Sequence, residues 1–190
     1  LTRLLRDDGY NCFGLEPYTD PVLASGYTFK SEVEAYSQGP YRLIIAIEVL
    51  EHLASPLDFL TKALSLTDTL IFSTEIVDRK LNGNKWWYYS KETGQHISFF
   101  THLSLSYLAD RCGCEYVSSR SKGIHIITRK TSDLQLFQLL SGSRRSRFFY
   151  PVSMLWGKIL GRRSLIMEDY SSARQALLSA KVKKSDDPSQ

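Results

Sequence analysis

The segment IEVLEHL, residues 47–53, ends an apolar run with three ionisable side chains, Glu48, Glu51 and His52. If a helix begins directly after the run, these positions stand at i, i+3 and i+4 and share one face. Two carboxylates and an imidazole on one face can hold a divalent cation. His96, in a later loop, is a fourth candidate ligand. The spacing therefore indicates a metal site.

The same residues have interpretations that need no metal. Acidic side chains in the first turn of a helix interact favourably with its dipole, and His52 could simply cap or pack. Without a cation, His52 or His96 could act as a general base, because imidazole titrates near neutral pH. The residues alone leave these alternatives open.

Glu16 ends a second apolar segment and is followed by Pro17. In open α/β sheets ligands bind beyond the carboxyl ends of the strands, where an acid can accept hydrogen bonds from the hydroxyls of a ribose. In dinucleotide folds that acid lies about 20 residues after a glycine-rich loop. Only 15 residues precede Glu16, and no G-x-G pattern occurs in the chain. The alternative is a polar strand end before a proline turn.

Strand and helix patterns alternate along the chain and would position these residues. The predicted strands are residues 10–15, 27–29, 41–47, 69–73, 115–119 and 124–128, and the predicted helices are residues 1–8, 56–66, 101–111 and 134–140. This alternation predicts an α/β doubly wound sheet whose last two strands form a hairpin. The continuous apolar run 41–47 suits the middle of a parallel sheet that is covered on both faces.

Composition limits the class of protein. The chain has 190 residues and is 43% hydrophobic, which is enough for a folded core. No apolar run reaches the roughly 18–20 residues that cross a bilayer, and the first residues lack the layout of a secretory signal. The three cysteines, Cys12, Cys112 and Cys114, form no disulfide framework, which favours a reducing, cytoplasmic setting.

Charge divides the chain near residue 130. Residues 1–130 hold 14 Lys and Arg against 15 Asp and Glu, whereas residues 131–190 hold 10 against 5. We therefore predict a domain over 1–130 and a basic, mostly helical C-terminal extension over 131–190. Within it, residues 141–164 mix basic and aromatic side chains without an acid. This segment fits a peripheral membrane contact, a nucleic-acid contact, or a helical cap or dimer element, which we favour.

Three segments together carry a family resemblance: FGLEPY (13–18), YRLIIAIEVLEHLASPLDFL (41–60) and GQHISFFTHLSLSYLADRCG (94–113). They resemble class I S-adenosylmethionine-dependent methyltransferases, in particular the group with E-V-L-E-H-L after the fourth strand. The resemblance covers roughly residues 1–130 and implies a Rossmann-like sheet. The family's first strand and its G-x-G-x-G loop are missing, so the chain resembles an N-terminally truncated member.

The resemblance also implies roles for individual residues. Glu16, with Pro17, would bind the ribose hydroxyls of S-adenosylmethionine, and Ile47 and Glu48 would lie near its methionine end. The pattern Glu-x-x-Glu-His with a later histidine resembles the metal site of small-RNA 2′-O-methyltransferases, and ubiquinone-pathway O-methyltransferases have a similar pattern. This likeness implies Mg²⁺ or Mn²⁺ on Glu48, Glu51, His52 and His96, which would lower the pKa of the acceptor hydroxyl.

The function we expect is methyl transfer from S-adenosylmethionine to a small-molecule or glycan-type acceptor. The alternatives are a non-catalytic scaffold that retains the fold and a metal-assisted RNA 2′-O-methyltransferase. The aromatic cluster of residues 86–89 fits either a lid over the acceptor or a cover of the core. Cys112 and Cys114 are expected to be structural, and no role is assigned to His102 or His125.

Overall fold

The computed structural model describes residues 1–18, 24, 26–77, 86–90, 93–119, 123–141, 161 and 163–185. The chain divides into two compact units. The terminal unit combines Leu1–Gln38 with Val152–Gln190, and the sheet unit is Gly39–Pro151. Most of the basic and aromatic segment 141–164 lies outside the described residues, so its three interpretations stay predictions, as does the domain boundary at residue 130.

The described helices, in chain order, are α1 (Thr2–Asp7), α2 (Glu32–Ser37), α3 (Pro56–Leu66), α4 (His102–Arg111), α5 (Thr131–Leu140) and α6 (Ile166–Ser185). The described strands are β1 (Gly14–Leu15), β2 (Thr28–Phe29), β3 (Ile44–Ile47), β4 (Thr69–Ser73), β5 (Glu115–Ser118) and β6 (Ile124–Thr128). Two single-turn 3₁₀ helices span Leu50–His52 and Trp87–Tyr89. The alternation of strands and helices confirms the predicted α/β class.

The sheet unit contains four strands in the order β3-β4-β6-β5. β3 and β4 are parallel, with α3 as the crossover between them, and β6 is antiparallel to both β4 and β5. The register pairs Ile47 with Ser73. The carboxyl ends of the two parallel strands therefore lie side by side, and the predicted closing hairpin of β5 and β6 is confirmed.

Two helices that cover this sheet begin and end where the sequence predicted. α3 has Pro56 in its first turn, where proline suits the missing amide hydrogen bond. At the start of α4, the Thr101 hydroxyl accepts from the Ser104 amide at 3.1 Å, and the Ser104 hydroxyl accepts from the Thr101 amide at 2.9 Å. Gly113, at φ +65°, lets the chain turn away after α4. Local sequence thus determines both helices.

Apolar side chains of α3, α4 and the sheet form the core of the sheet unit. Its fully buried members are Leu50, Leu60, Leu70, Phe72, Leu105, Ala109 and Ile127. α3 contributes Leu60 and Leu64 to this core. Leu50 belongs to the 3₁₀ helix that follows β3, so the segment that carries Glu51 and His52 is anchored in the core.

β3 differs from its prediction in two respects. The pairing begins only at Ile44, because the Tyr41 amide donates to the carbonyl of Leu66 at 2.7 Å instead of joining the sheet. Within the sheet unit β3 is an edge strand, and Ile45 and Ile47 are 38% and 49% exposed. The expectation that this run is covered on both faces is therefore wrong for the described residues.

The terminal unit joins α1 to α6 through a buried carboxylate. Asp169 of α6 accepts hydrogen bonds from the Arg6 guanidinium at 2.7 and 2.8 Å and from Arg3 at 2.8 Å. Arg6 is 5% exposed, and its guanidinium lies 3.6 Å from the centre of the Tyr27 ring. A charge this deeply buried needs such partners. The ion pair therefore holds α6 in its place on α1.

The predicted strand 10–15 is shorter in the structure. Only Gly14 and Leu15 pair, in parallel with β2, because the amides of Gly14 and Glu16 donate to the carbonyls of Tyr27 and Phe29. α2 was not predicted from the sequence. Its signal was a serine N-cap followed three residues later by an acid, and the Ser31 hydroxyl accepts from the Glu34 amide at 3.2 Å. None of the described helices combines the length and apolarity needed to cross a membrane.

Candidate active site

Glu48 directly follows β3, and both of its carboxylate oxygens are held by neighbouring hydroxyl groups. The Ser73 hydroxyl donates to Oε1 at 2.6 Å and accepts from the Glu48 amide at 2.9 Å. The Tyr88 hydroxyl donates to Oε2 at 3.3 Å. Burial disfavours the charge of Glu48, but the hydrogen bond from Ser73, with further contributions from Glu51 and Tyr88, outweighs it and lowers the pKa.

The backbone of Glu48 lies in the left-handed region, at φ +51°. This conformation is strained for any residue other than glycine. It is kept only where contacts with the surrounding structure stabilise it. The 3₁₀ helix begins at Leu50, so Glu48 lies before it and does not share a helical face with Glu51 and His52. The expectation that Glu48, Glu51 and His52 share one face of a helix is therefore wrong, because the backbone turns at Glu48 before the helix begins.

Glu51 is fully buried, and no described group makes a hydrogen bond to either of its carboxylate oxygens. Burial, together with the neighbouring Glu48 carboxylate, raises its pKa. Tyr88 and Glu48 are near enough to influence this pKa, but neither meets the geometry of a hydrogen bond to Glu51. Buried polar groups in proteins are nearly always partnered. The Glu51 carboxylate therefore has the surroundings of a ligand or of a protonated acid.

Two imidazoles beside Glu51 are oriented by backbone carbonyls. His52 Nδ1 lies 3.0 Å from the carbonyl oxygen of Gln95, and His96 Nδ1 lies 2.6 Å from that of Tyr88. A carbonyl only accepts, so Nδ1 carries the hydrogen in each ring. In the neutral form, Nε2 of each ring then carries a free lone pair. Histidine ligands of metals are commonly oriented by such carbonyl contacts.

Glu51, His52 and His96 form the one group of this kind among the described residues. One ligand atom from each residue lies within 4.8 Å of the others. The amides of Ile97 and Ser98 donate to the Glu51 carbonyl at 2.8 and 3.0 Å, which brings the later loop back to the 3₁₀ helix. Three of the four predicted ligands are thus together. Glu48 is outside this group, and its two carboxylate oxygens accept hydrogen bonds from Ser73 and Tyr88 instead.

The residues of the aromatic cluster 86–89 differ in burial, and the predicted lid over the acceptor stays a prediction. Trp86 and Tyr88 are 7% and 2% exposed and belong to the packed interior, whereas Trp87 is 74% exposed. The Tyr88 hydroxyl lies 3.3 Å from the Thr74 hydroxyl as well as from Glu48, and burial raises its pKa. Sequence reasoning included Tyr88 in the aromatic cluster but did not predict its contact with Glu48, and it did not single out Ser73. Both residues reach Glu48 from distant positions in the chain.

A chain of hydrogen-bonded side chains, also missed from the sequence, leads from the surface to Thr74, the residue that follows β4. His125 is fully buried, and its Nε2 donates to the carbonyl of Thr74 at 3.0 Å. The neutral Nδ1 therefore accepts from the Tyr116 hydroxyl at 3.0 Å, and that oxygen accepts from His102 Nδ1 at 2.9 Å. Burial lowers the pKa of His125 and raises the pKa of Tyr116 to about 12.

Glu16 and Pro17, the predicted ribose-binding residues, follow β1 in the terminal unit. Glu16 is half-buried, and its Oε1 accepts from the Tyr18 amide at 3.1 Å. Pro17 is exposed. Glu16 thus stands at the carboxyl end of a parallel strand pair, the position that the sequence predicted. Its role toward a cofactor stays a prediction, as do those of Pro17, Ile47 and Glu48.

Comparison with known proteins identifies the class. The family model described as a methyltransferase domain matches residues 1–119. The chain belongs to this methyltransferase family, which confirms the resemblance to class I S-adenosylmethionine-dependent methyltransferases and the Rossmann-like fold expected from it. No curated protein matches the chain.

Solved structures of methyltransferases show distant similarity. Magnesium protoporphyrin IX methyltransferase from Synechocystis PCC 6803, with bound SAH, is 20% identical over 56% of this chain and 52% of that chain, with a TM-score of 0.36. CalO1, a methyltransferase in calicheamicin biosynthesis, also with bound SAH, is 12% identical over 58% of this chain and 37% of that chain, with a TM-score of 0.39. The chain thus spans about half or less of the length of these proteins.

Proposed function

We propose that this protein transfers a methyl group from S-adenosylmethionine to a small-molecule or glycan-type acceptor. The family match over residues 1–119 carries this proposal. The site supports it, because a fixed carboxylate and two oriented imidazoles gather beyond the carboxyl ends of β3 and β4, where ligands bind in sheets of this kind. The two neighbours named above are described as methyltransferases in porphyrin and calicheamicin chemistry, which fits a small-molecule acceptor.

The family resemblance suggests candidate donor contacts in each unit, and each set is considered by itself. Glu16, next to Pro17, would accept hydrogen bonds from the ribose hydroxyls, and Ile47 and Glu48 would border the methionine end. Glu48 suits a contact with the ammonium group, because its pKa is lowered and it stays charged at neutral pH. S-adenosylmethionine would supply the electrophilic methyl group, so the chain's task is to align the acceptor with it.

His52 or His96 would accept the proton that the acceptor loses. Each imidazole has its Nδ1 hydrogen committed to a backbone carbonyl, so Nε2 is the available base. His52 is exposed and His96 is half-buried, which places both within reach of solvent. The three free cysteines agree with a reducing, cytoplasmic setting for this chemistry.

A divalent cation, Mg²⁺ or Mn²⁺, is the second element of the proposal. The observation that favours it is the buried Glu51 carboxylate without a hydrogen-bond partner beside two free Nε2 lone pairs. One carboxylate and two imidazoles favour Mn²⁺ over Mg²⁺, which prefers oxygen ligands. A bound cation would lower the pKa of an acceptor hydroxyl. The metal would also suit the RNA 2′-O-methyltransferase alternative, in which the basic segment 141–164 would contact the RNA. Most of that segment lies outside the described residues.

Titration of S-adenosylhomocysteine by calorimetry tests the proposed donor site, in this chain and in the protein extended upstream. We expect binding by the extended protein and a loss of about tenfold in affinity for Glu48→Gln, because a charged hydrogen-bond acceptor is removed. Glu115→Gln on β5 is the matched control, since this exposed glutamate lies at the opposite end of the sheet. Binding by neither form would favour the non-catalytic scaffold.

A further inference from the structure

The conformation of Glu48 requires support from outside its own segment. Its φ of +51° is unfavourable for a residue with a side chain, and such strain persists only where other contacts hold it. Ser73 satisfies the amide and Oε1 of Glu48, but Oε2 depends on a residue from a different part of the chain, Tyr88.

Tyr88 is well suited to hold another group in place. It is 2% exposed, and its ring packs against Trp86 and Trp87, with ring centres 5.2 and 5.4 Å away. Its hydroxyl has a second partner in Thr74, 3.3 Å away. A phenol that is fixed by packing and by its contact with Thr74 loses little further freedom when it donates to the Glu48 carboxylate, so it is a pre-organised donor.

The same residue also holds His96. The Tyr88 carbonyl accepts from His96 Nδ1 at 2.6 Å, and the two rings lie 4.3 Å apart between centres. These contacts set both the tautomer and the tilt of the imidazole. Tyr88 therefore uses its hydroxyl for Glu48 and its ring and backbone for His96.

We propose that Tyr88 is a positioning residue that fixes the donor-side carboxylate of Glu48 and the acceptor-side imidazole of His96 in one geometry. This inference rests on the proposed function, in which Glu48 borders the methyl donor and His96 serves the acceptor. In this proposal the Tyr88 hydroxyl holds Glu48, and the Tyr88 ring holds His96. A substitution that removes only the hydroxyl should therefore differ in effect from one that also removes the ring.

Tyr88→Phe removes only the hydroxyl, whereas Tyr88→Leu also removes the ring. We expect Tyr88→Phe to weaken S-adenosylhomocysteine binding by about tenfold and to raise the KM for the donor, with kcat and Mn²⁺ affinity unchanged. Tyr88→Leu should weaken Mn²⁺ binding as well, because His96 loses its packing. Tyr116→Phe is the matched control, since it removes another hydrogen-bonded phenol of the sheet unit that does not contact Glu48.

Backbone NMR of the protein without ligands gives a readout that is independent of methyl transfer. The short distance between the amide and Hα protons that a positive φ produces should weaken at Glu48 in Tyr88→Phe and persist in Tyr116→Phe. The inference is overturned if Glu48 keeps this signal in Tyr88→Phe. It is also overturned if Tyr88→Phe binds S-adenosylhomocysteine as tightly as the wild type does. If the wild-type protein itself does not bind S-adenosylhomocysteine, the proposed function fails. The NMR result then decides by itself whether Tyr88 holds the conformation of Glu48.

Discussion

Glu51 carries a carboxylate that is fully buried and has no hydrogen-bond partner among the described residues. An isolated buried charge is costly, so such a group takes up a proton or binds a cation. The two neighbouring imidazoles each direct Nε2 away from the carbonyl that fixes Nδ1. The unfavourable surroundings of Glu51 are therefore a cost to the free protein that a bound cation would relieve.

Glu51→Gln should separate these two effects. Without metal, the variant should be more stable than the wild type by about 1 kcal/mol, because a buried ionisable group is replaced by a neutral one of similar shape. In Mn²⁺ at about 100 times its Kd, the wild type should gain about 2.7 kcal/mol and the variant nothing. Urea unfolding with and without Mn²⁺ measures both differences.

Glu115→Gln is the control for this comparison, since it removes an exposed carboxylate on β5 and should change stability by less than about 0.5 kcal/mol. An equal gain from Mn²⁺ in the wild type and in Glu51→Gln would exclude Glu51 as a ligand. Loss of stability in Glu51→Gln without metal would mean that the carboxylate has a partner in solution.

At the level of elements, a buried ion pair joins α6 to α1. Asp169 is 4% exposed and receives hydrogen bonds from Arg6 and Arg3. Several large side chains of α6, including Met167 and Tyr170, are exposed instead. Among the described contacts between α6 and α1, we therefore expect the Asp169 carboxylate to contribute most to stability.

Asp169→Asn should destabilise the terminal unit by about 3 kcal/mol, because the Arg6 guanidinium stays buried without a countercharge. Hydrogen exchange of the α1 and α6 amides is the appropriate measurement, since it reports on this unit separately. Asp7→Asn is the control: it removes a more exposed partner of Arg3 and should cost less than about 1 kcal/mol. Equal effects of the two substitutions would contradict a dominant role of Asp169.

The sequence predicts those elements whose signals are local. The Thr101 cap, the proline at the start of α3 and the apolar run of β4 determined their elements almost to the residue. β1 was overestimated because apolar residues such as Phe13 pack against neighbouring rings without joining a ladder. An apolar residue can form backbone hydrogen bonds in a sheet or only pack its side chain. The outcome depends on a partner strand, which the sequence of the first strand alone does not reveal.

Some residues of the candidate site could likewise be predicted from the sequence, and others could not. Glu51, His52 and His96 could be predicted, because spacing and the rule that ligands bind at strand ends bring them to one place. Tyr88 could not, since its contact with Glu48 requires a later loop to return to the sheet. The expectation of one helical face failed for Glu48 for the related reason that the backbone turns at φ +51°. Long-range hydrogen bonds, not local propensity, decide these positions.

At the scale of the whole molecule, the two units should respond to acid at different pH values. In the terminal unit, the hydrogen bond from Arg6 lowers the pKa of Asp169 below its ordinary value. The stability that this ion pair contributes is complete above the unfolded pKa of about 3.9 and is lost as the pH falls below it. The terminal unit should therefore lose this contribution only in strong acid.

The sheet unit should begin to lose stability nearer neutrality, because burial lowers the pKa of His125. The unfolded chain takes up a proton at about pH 6.5 while the folded one does not, so stability falls as the pH decreases from about 6.5 toward the lowered pKa. The loss is at most about 1.4 kcal/mol per pH unit. The polar neighbours on the Nδ1 side of the His125 ring are Tyr116 and His102. Neither contributes a negative charge that would stabilise a protonated His125.

His125→Gln tests this expectation, because glutamine can still donate to the Thr74 carbonyl and does not titrate. Whatever stability the variant loses overall, its free energy of unfolding should change less than that of the wild type between about pH 7.5 and pH 5.5. Hydrogen exchange in β4 and β6 measures this slope for the sheet unit, and His102→Gln controls for an exposed histidine. Identical slopes in His125→Gln and the wild type would mean that His125 takes up its proton in the folded protein, which the buried hydrogen bonds of both its nitrogens oppose.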